Sequence, residues 1–180
     1  MCPTIPYSRF EIDQNISLLV IDIEGMNSDL KQILDQNFVS ICEGNSGSSI
    51  EIVKKEVSNL FSNKSEIWIE GAIAEFFTHL ILKNNKFKQE CLFLNLEENS
   101  IKKGFDGFYS RNGETWIMES KAGSINAEGI SHSKKITLAL RDLSDRVSGK
   151  KSENGSIINP WHNAYSHACH CDVGSSESIR

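Results

Sequence analysis

The chain has 180 residues, of which 39% are hydrophobic and 24% are charged, and this composition is ordinary for a soluble globular protein. The length fits one domain with a real core, and no apolar run approaches the length of a membrane span. The N-terminus lacks the basic-then-apolar order of a secretory signal, and the five cysteines form no regular framework, so we expect a reduced, cytoplasmic setting.

The net charge of −5 argues against tight, unaided binding to nucleic acid. The two parts of the chain differ, however, because residues 1–100 carry an excess of seven acidic side chains and residues 101–180 an excess of two basic ones. No strongly basic stripe is present, so phosphate contacts alone predict weak, salt-sensitive binding that needs a partner protein or a local basic face.

The N-terminal third predicts one strand and two helices. Residues 16–24 are apolar enough to form a strand buried on both faces. Residues 27–42 have helical spacing, with Asn27 or Ser28 as the N-cap, and residues 51–61 predict a second helix.

A longer helix is predicted over residues 65–83, with Ser65 as its N-cap and Lys83 near its C-terminal end. The segment is apolar nearly all round, which indicates a largely buried helix. Glu75 lies inside this run, and its i, i+4 neighbour His79 offers a simple explanation as an ion-pair partner.

The next elements are a strand over residues 91–96 and then a β-hairpin. The hairpin strands are residues 104–110 and 115–121, and Asn112-Gly113 stands between them. Asn-Gly between alternating apolar runs predicts a two-residue type I′ turn, because this turn needs a positive φ at both positions. Positions paired across such a turn add to 225.

That register places two carboxylates, Asp106 and Glu119, directly opposite each other, and Lys121 on the same face as Glu119. Opposed like charges destabilise a hairpin. They become favourable when a divalent cation lies between them, since Mg²⁺ is commonly held by one or two carboxylates. Phe108 and Ile117 share this face, so we expect it to be partly buried.

A final helix is predicted from Ser133 to about residue 148. Its apolar positions recur one turn at a time, at Ile136, Leu140, Leu143 and Val147. Its other side carries charges of both signs, at Lys134, Lys135, Arg141, Asp142, Asp145 and Arg146. We expect this charged face to be solvated; the alternative is a helix that contacts phosphates beside the hairpin.

The end of the chain is rich in metal-binding residue types, namely His162, His167, Cys169, His170 and Cys171. Their spacing offers only one half of a zinc site, so zinc is the weaker alternative to a partner-dependent end. Residues 168–180 are polar and predict a mobile tail.

The motifs Gly-Phe-Asp106-Gly and Glu119-Ser-Lys121, with twelve residues between Asp106 and Glu119, resemble the PD-(D/E)XK nuclease superfamily, with Phe105 in place of the family's proline. The resemblance implies a metal-dependent endonuclease that hydrolyses phosphodiester bonds. Asp106, Glu119 and the main-chain carbonyl of Ser120 would hold Mg²⁺ or Mn²⁺, and Lys121 would stabilise charge on the phosphate.

The same resemblance implies the fold and one more site residue. The fold would be α/β, a central mixed β-sheet flanked by helices, restriction-endonuclease-like, in one domain over residues 1–167, with an N-terminal elaboration (1–62) and a catalytic core (63–150). Glu75 would be the helix carboxylate of the site, as a catalytic group and metal ligand. Glu70 competes for that role, and the two are too far apart around the helix to reach one metal.

A narrower resemblance, over residues 65–167, is to the nuclease component of the Hachiman anti-phage defence system. It rests on the Glu75-Phe-Phe-Thr-His-Leu helix, the two hairpin motifs and the Asn159-Pro-Trp-His-Asn-Ala stretch. It implies antiviral defence, a helicase partner and nucleic acid as substrate, with DNA expected although the residues do not separate DNA from RNA. The alternative is an inactive nuclease-like subunit that only binds.

Overall fold

The computed structural model describes residues 5–95, 100–101, 105–124 and 127–148. Within these ranges the elements are, in chain order, β1 Ser8–Glu11, β2 Ser17–Val20, α1 Ser28–Glu43, α2 Ile50–Phe61, α3 Glu66–Asn84, β3 Lys88–Gln89, β4 Leu94–Asn95, β5 Ser100–Ile101, β6 Gly107–Arg111, β7 Glu114–Met118 and α4 His132–Val147. The His- and Cys-rich end, the predicted mobile tail and the Asn159-Pro-Trp stretch lie outside the described residues. No helix in the described ranges has an apolar stretch long enough to cross a membrane.

The four helices begin and end close to where the sequence predicts them. Asn27 Oδ1 accepts a hydrogen bond from the Leu30 backbone N–H at 2.8 Å and so caps α1. Ser65 Oγ accepts one from the Trp68 N–H at 3.3 Å and caps α3. Each cap satisfies one of the N–H groups that the first helical turn leaves without an intrahelical partner.

Helices α1, α2 and α3 enclose the main core together with the segment that follows β3. The core includes Ile41 and Val53, and the rings of Phe76 and Phe93 meet edge to face at 5.6 Å. A buried cluster of this kind is the main source of the fold's stability, because burial of apolar surface is the dominant favourable term in folding. The apolar faces of α1 and α2 are therefore confirmed as core-forming, whereas α3 is less buried than predicted, since its Ile67 is 82% exposed.

The described strands form three small antiparallel sheets, with the orders β1-β2, β3-β6-β7 and β4-β5. The mixture of helices and sheets agrees with the α/β prediction. The described strands do not form the one central sheet that was expected, because β4, within the predicted strand at residues 91–96, pairs with β5 while β3, Lys88–Gln89, takes the place beside β6. β3 therefore connects the C-terminal end of α3 to the sheet that contains the hairpin.

The prediction that the strand at residues 16–24 is buried was also wrong. Among the described strands β2 pairs with β1 alone, and every residue of both strands is exposed. Ile16 and Leu18 remain 54% and 43% exposed. A two-stranded ribbon that is exposed along its whole length buries little, so an apolar sequence does not by itself decide burial.

Candidate metal centre

The β6–β7 hairpin has the predicted turn. Asn112 and Gly113 have φ values of 52° and 80°, the left-handed conformation that a type I′ turn requires. The strands pair from Arg111 with Glu114 to Gly107 with Met118, so paired positions add to 225 as predicted. Asp106 and Glu119 occupy the next positions, one beyond the last pair, and therefore leave the sheet together.

The Asp106 carboxylate is held in place by the opposite strand. The Ser120 backbone N–H and hydroxyl donate to Asp106 Oδ2 at 2.7 and 3.0 Å. Two donors on one oxygen fix the orientation of the carboxylate and turn Oδ1 toward the same side as Glu119.

Glu119 lies in a more enclosed position, with its side chain 0% exposed, and Lys121 is its nearest ion-pair partner. Burial raises the pKa of the Glu119 carboxyl, and the Asp106 charge adds to this, against the hydrogen bond from Lys121 and the charge of Arg146. Burial alone would lower the pKa of Lys121, but its hydrogen bonds to Glu119 and Asp142 outweigh that effect and raise it. Lys121 is therefore an ammonium ion at neutral pH.

Two further charged residues reach the site from α4. Arg146 Nη1 donates to Glu119 Oε2 at 2.6 Å and lies 3.6 Å from Asp106 Oδ1. Asp142, one turn earlier on the same face, lies 3.1 Å from Lys121 Nζ. The result is a chain of alternating charges, Asp142, Lys121, Glu119, Arg146 and Asp106. The two carboxylates converge on one cationic group.

The expected faces of α4 are only partly right: Arg141 is 67% exposed, as expected of a solvated charged face, but the ion-pair contacts of Asp142 and Arg146 with the hairpin were not predicted. The charged face was expected in solvent, yet Asp142 and Arg146 face the hairpin, while Ile136 and Leu140 are 55% and 63% exposed. Opposite charges at i, i+4 were the available signal, since such a pair presents both signs on one side of a helix.

Glu75 is placed differently from the other predicted site residues. It is buried on α3, and its Oε1 lies 3.8 Å from His79 Nε2, so the simple Glu75–His79 pairing is what the structure shows. The Tyr109 hydroxyl hydrogen-bonds His79 Nδ1. Burial, with the charges of Cys91 and Glu75, raises the pKa of the Tyr109 phenol. The competing Glu70 is exposed.

The donor set fits a metal held by two carboxylates. Among the described residues, no group of three or more His, Cys, Asp or Glu side chains could hold a metal ion, so Glu75 does not join the Asp106–Glu119 pair as a third side-chain ligand. Mg²⁺ needs only one or two protein carboxylates and keeps several waters, and both carboxylates already converge on a cation, the Arg146 guanidinium.

A cleft of about 470 Å³ opens beside the carboxylates. It runs from Glu119 and Lys121 along the start of α4, and its lining also includes Gly123, Ile130, Ser131, His132, Lys135, Ile136 and Ala139. The cleft has both cationic and apolar walls, so its chemistry suits a ligand with a phosphate and an apolar or aromatic part.

Comparison of the chain with models of known protein families, with curated proteins and with solved structures gives no match.

Proposed function

We propose that the protein is a metal-dependent endonuclease of the PD-(D/E)XK type, with a restriction-endonuclease-like arrangement of its site, and that it hydrolyses phosphodiester bonds in DNA. One observation carries the proposal: the hairpin register brings Asp106 and Glu119 to the same end of the sheet with Lys121 beside them. The sequence resemblance supports the same assignment.

In this proposal Asp106, Glu119 and the main-chain carbonyl of Ser120 hold Mg²⁺ or Mn²⁺. The bound cation would polarise the phosphate, activate water and stabilise the departing oxygen. Lys121 would orient the attacking water and stabilise the negative charge that grows on the phosphate, as an ammonium ion and not as a general base. Ser120 would keep Asp106 oriented through its two hydrogen bonds.

Glu75 has a supporting place in this scheme. Its contact with His79 and the His79–Tyr109 hydrogen bond connect α3 to the middle of β6. Glu75 would therefore hold the hairpin against the helix, and any influence on the metal would pass through water. This narrows the role that the family resemblance implies for it.

We further propose that the protein acts in anti-phage defence beside a helicase. The support is the sequence resemblance and a need for help in binding, because the net charge is −5. The exposed apolar residues of the β1–β2 ribbon, among them Phe10 at 52% and Ile12 at 61%, suit a contact with another protein. Co-purification with a helicase that is lost in Phe10→Ser would support this, and unchanged co-purification would remove the ribbon from the proposal.

The second candidate function is a nuclease-like subunit that binds without cutting. The contact between Arg146 and both carboxylates favours it, because a guanidinium already offsets part of the negative charge of the pair. The two candidates differ in one measurable property, which is hydrolysis that depends on a divalent cation.

The test is incubation of the purified protein with plasmid and with linear DNA, in Mg²⁺, in Mn²⁺ and in EDTA. Cleavage that requires the metal and falls by roughly two to three orders of magnitude in Lys121→Ala would support the nuclease, the loss typical of removing one preorganised donor. Lys54→Ala is the matched control, since Lys54 pairs with Asp35 on the surface of α1 and α2. DNA binding without cleavage in either metal would favour the binding subunit.

Lys121→Arg separates charge from shape in the same assay. A planar guanidinium cannot place a compact charge where the Lys121 ammonium lies, so we expect it to restore only part of the rate. Wild-type cleavage by Lys121→Ala in Mg²⁺ would refute the assignment of Glu119-Ser120-Lys121 as the catalytic motif.

A further inference from the structure

We infer that Arg146 is an internal counter-ion that holds Asp106 and Glu119 together without metal and is displaced when a divalent cation binds. The inference rests on the proposed metal site and adds a residue that the PD-(D/E)XK motif does not contain. It makes α4 a regulator of access to the site.

The contacts of Arg146 carry the first step. One nitrogen, Nη1, lies 2.6 Å from Glu119 Oε2 and 3.6 Å from Asp106 Oδ1. These oxygens belong to the two carboxylates that would hold the cation, so the guanidinium stands where a cation bridging them would lie. A guanidinium and a divalent cation repel each other and cannot share this position. Metal binding therefore requires Arg146 to withdraw.

The surroundings of Arg146 carry the second step, because they allow withdrawal. Its side chain is 34% exposed, whereas the Glu119 side chain is 0% exposed. None of the residues His132–Val147, all of which the structure describes, is buried. Arg146 can thus move into solvent without opening the core, and the contact between Asp142 and Lys121 can keep α4 in place.

The third step is the energetic coupling. If the site accepts metal only when Arg146 is withdrawn, the apparent affinity is lowered by the fraction of molecules in that withdrawn form. The metal in turn favours withdrawal by the same factor, as linkage demands. The released guanidinium would then have its donor fork available for a phosphate of the nucleic acid strand. Metal and strand would bind cooperatively.

The test uses Arg146→Met, which keeps an unbranched stem and removes the charge. The matched control is Arg141→Met, which makes the same charge change on the same helix. The Arg141 side chain is 67% exposed, and among the described ion pairs it contacts only Asp142, at 3.7 Å. Mn²⁺ and Mg²⁺ affinities are measured by calorimetry on both variants and the wild type. The midpoint of thermal unfolding is measured in EDTA and in saturating Mn²⁺.

We expect Arg146→Met to bind Mn²⁺ more tightly by about tenfold or more, the factor that applies if the withdrawn form is a tenth of the population or less. In EDTA it should unfold at a lower temperature than Arg141→Met, because its two carboxylates have lost their counter-ion. The rise in the unfolding midpoint from EDTA to saturating Mn²⁺ should therefore be larger for Arg146→Met than for Arg141→Met. Arg146→Lys keeps a charge but loses the fork, so its Mn²⁺ affinity should lie between those of the wild type and Arg146→Met. If Arg146→Met does not fold, Arg146→Lys takes its place in the test.

The outcomes separate this inference from the proposed function. Mn²⁺ binding that is equal or weaker in Arg146→Met than in wild type would overturn the inference and leave the metal site standing. If neither the wild type nor any variant binds Mn²⁺, both the inference and the proposed metal site are overturned, whatever the unfolding midpoints in EDTA. Binding by Arg146→Met but not by wild type would support the inference, with Arg146 holding the site closed in the isolated protein.

Discussion

Ser120 donates two hydrogen bonds to a single oxygen of Asp106, from its backbone N–H at 2.7 Å and from its hydroxyl at 3.0 Å. The peptide N–H is present in every variant, so Ser120→Ala removes only the hydroxyl bond. We expect this change to lower the free energy of unfolding by about 1 kcal/mol, the usual net value of one such bond. Urea unfolding measures it, with Ser8→Ala, at an exposed position of β1, as the control. Equal losses in the two variants would contradict a special role for the Ser120 hydroxyl.

Asp106→Asn tests the metal site directly. The amide keeps the shape of the side chain and an oxygen that can accept from Ser120, but it has no negative charge to offer a divalent cation. We expect Mn²⁺ binding, measured by calorimetry, to be lost in this variant. Binding equal to that of the wild type would remove Asp106 from the metal site.

Glu75→Gln should behave in the opposite way. Glu75 contacts His79 inside α3 and does not complete a three-residue metal group with Asp106 and Glu119. We therefore expect Mn²⁺ affinity to stay at the wild-type value, while the stability measured in urea changes because one oxygen of a buried carboxyl beside His79 becomes an amide nitrogen. A strong loss of metal affinity with unchanged stability would restore Glu75 as a ligand.

The hairpin part of the site could be predicted from sequence because a two-residue turn leaves no freedom in the register. Once Asn112 and Gly113 occupy the turn, the positions of Asp106 and Glu119 follow by counting. Helix positions were predictable for a similar reason, since caps such as Ser65 and apolar spacing are local signals.

The remaining features depend on contacts between distant segments. Nothing local shows that Arg146 reaches Glu119, 27 residues earlier in the chain. The apolar residues of β2 predicted burial, yet in the described part of the chain the strand pairs with β1 alone and stays exposed. In both cases tertiary packing decides which face of an element is covered, and periodicity alone cannot supply that information.

We expect the substitution of glycine by alanine to have opposite effects on stability at Gly113 and at Gly71. Gly113 has a φ of 80°, a conformation that a Cβ makes unfavourable, so Gly113→Ala should destabilise the hairpin by about 1 kcal/mol or more. Gly71 lies within α3, where an added Cβ would meet no atom within 4 Å. Gly71→Ala should stabilise the protein by about 0.5–1 kcal/mol, the cost of glycine inside a helix. Urea unfolding of both variants checks the signs, and a loss in Gly71→Ala would mean that the exposed side of α3 is occupied.

We expect the buried thiol of Cys42 to make the folded protein less stable at alkaline pH. Burial first, and then the charge of Glu43, raises the pKa of its thiol well above the ordinary value. Above about pH 8.5 the unfolded chain releases this proton and the folded protein keeps it, so stability falls as the pH rises, by up to about 1.4 kcal/mol per pH unit. Cys42→Ala lacks this contribution. The stability difference between wild type and Cys42→Ala, measured by urea unfolding under reducing conditions, should therefore shift against the wild type by about 2 kcal/mol from pH 7 to pH 10. A difference that stays constant over this range would show that the Cys42 thiol titrates alike in the folded and unfolded states.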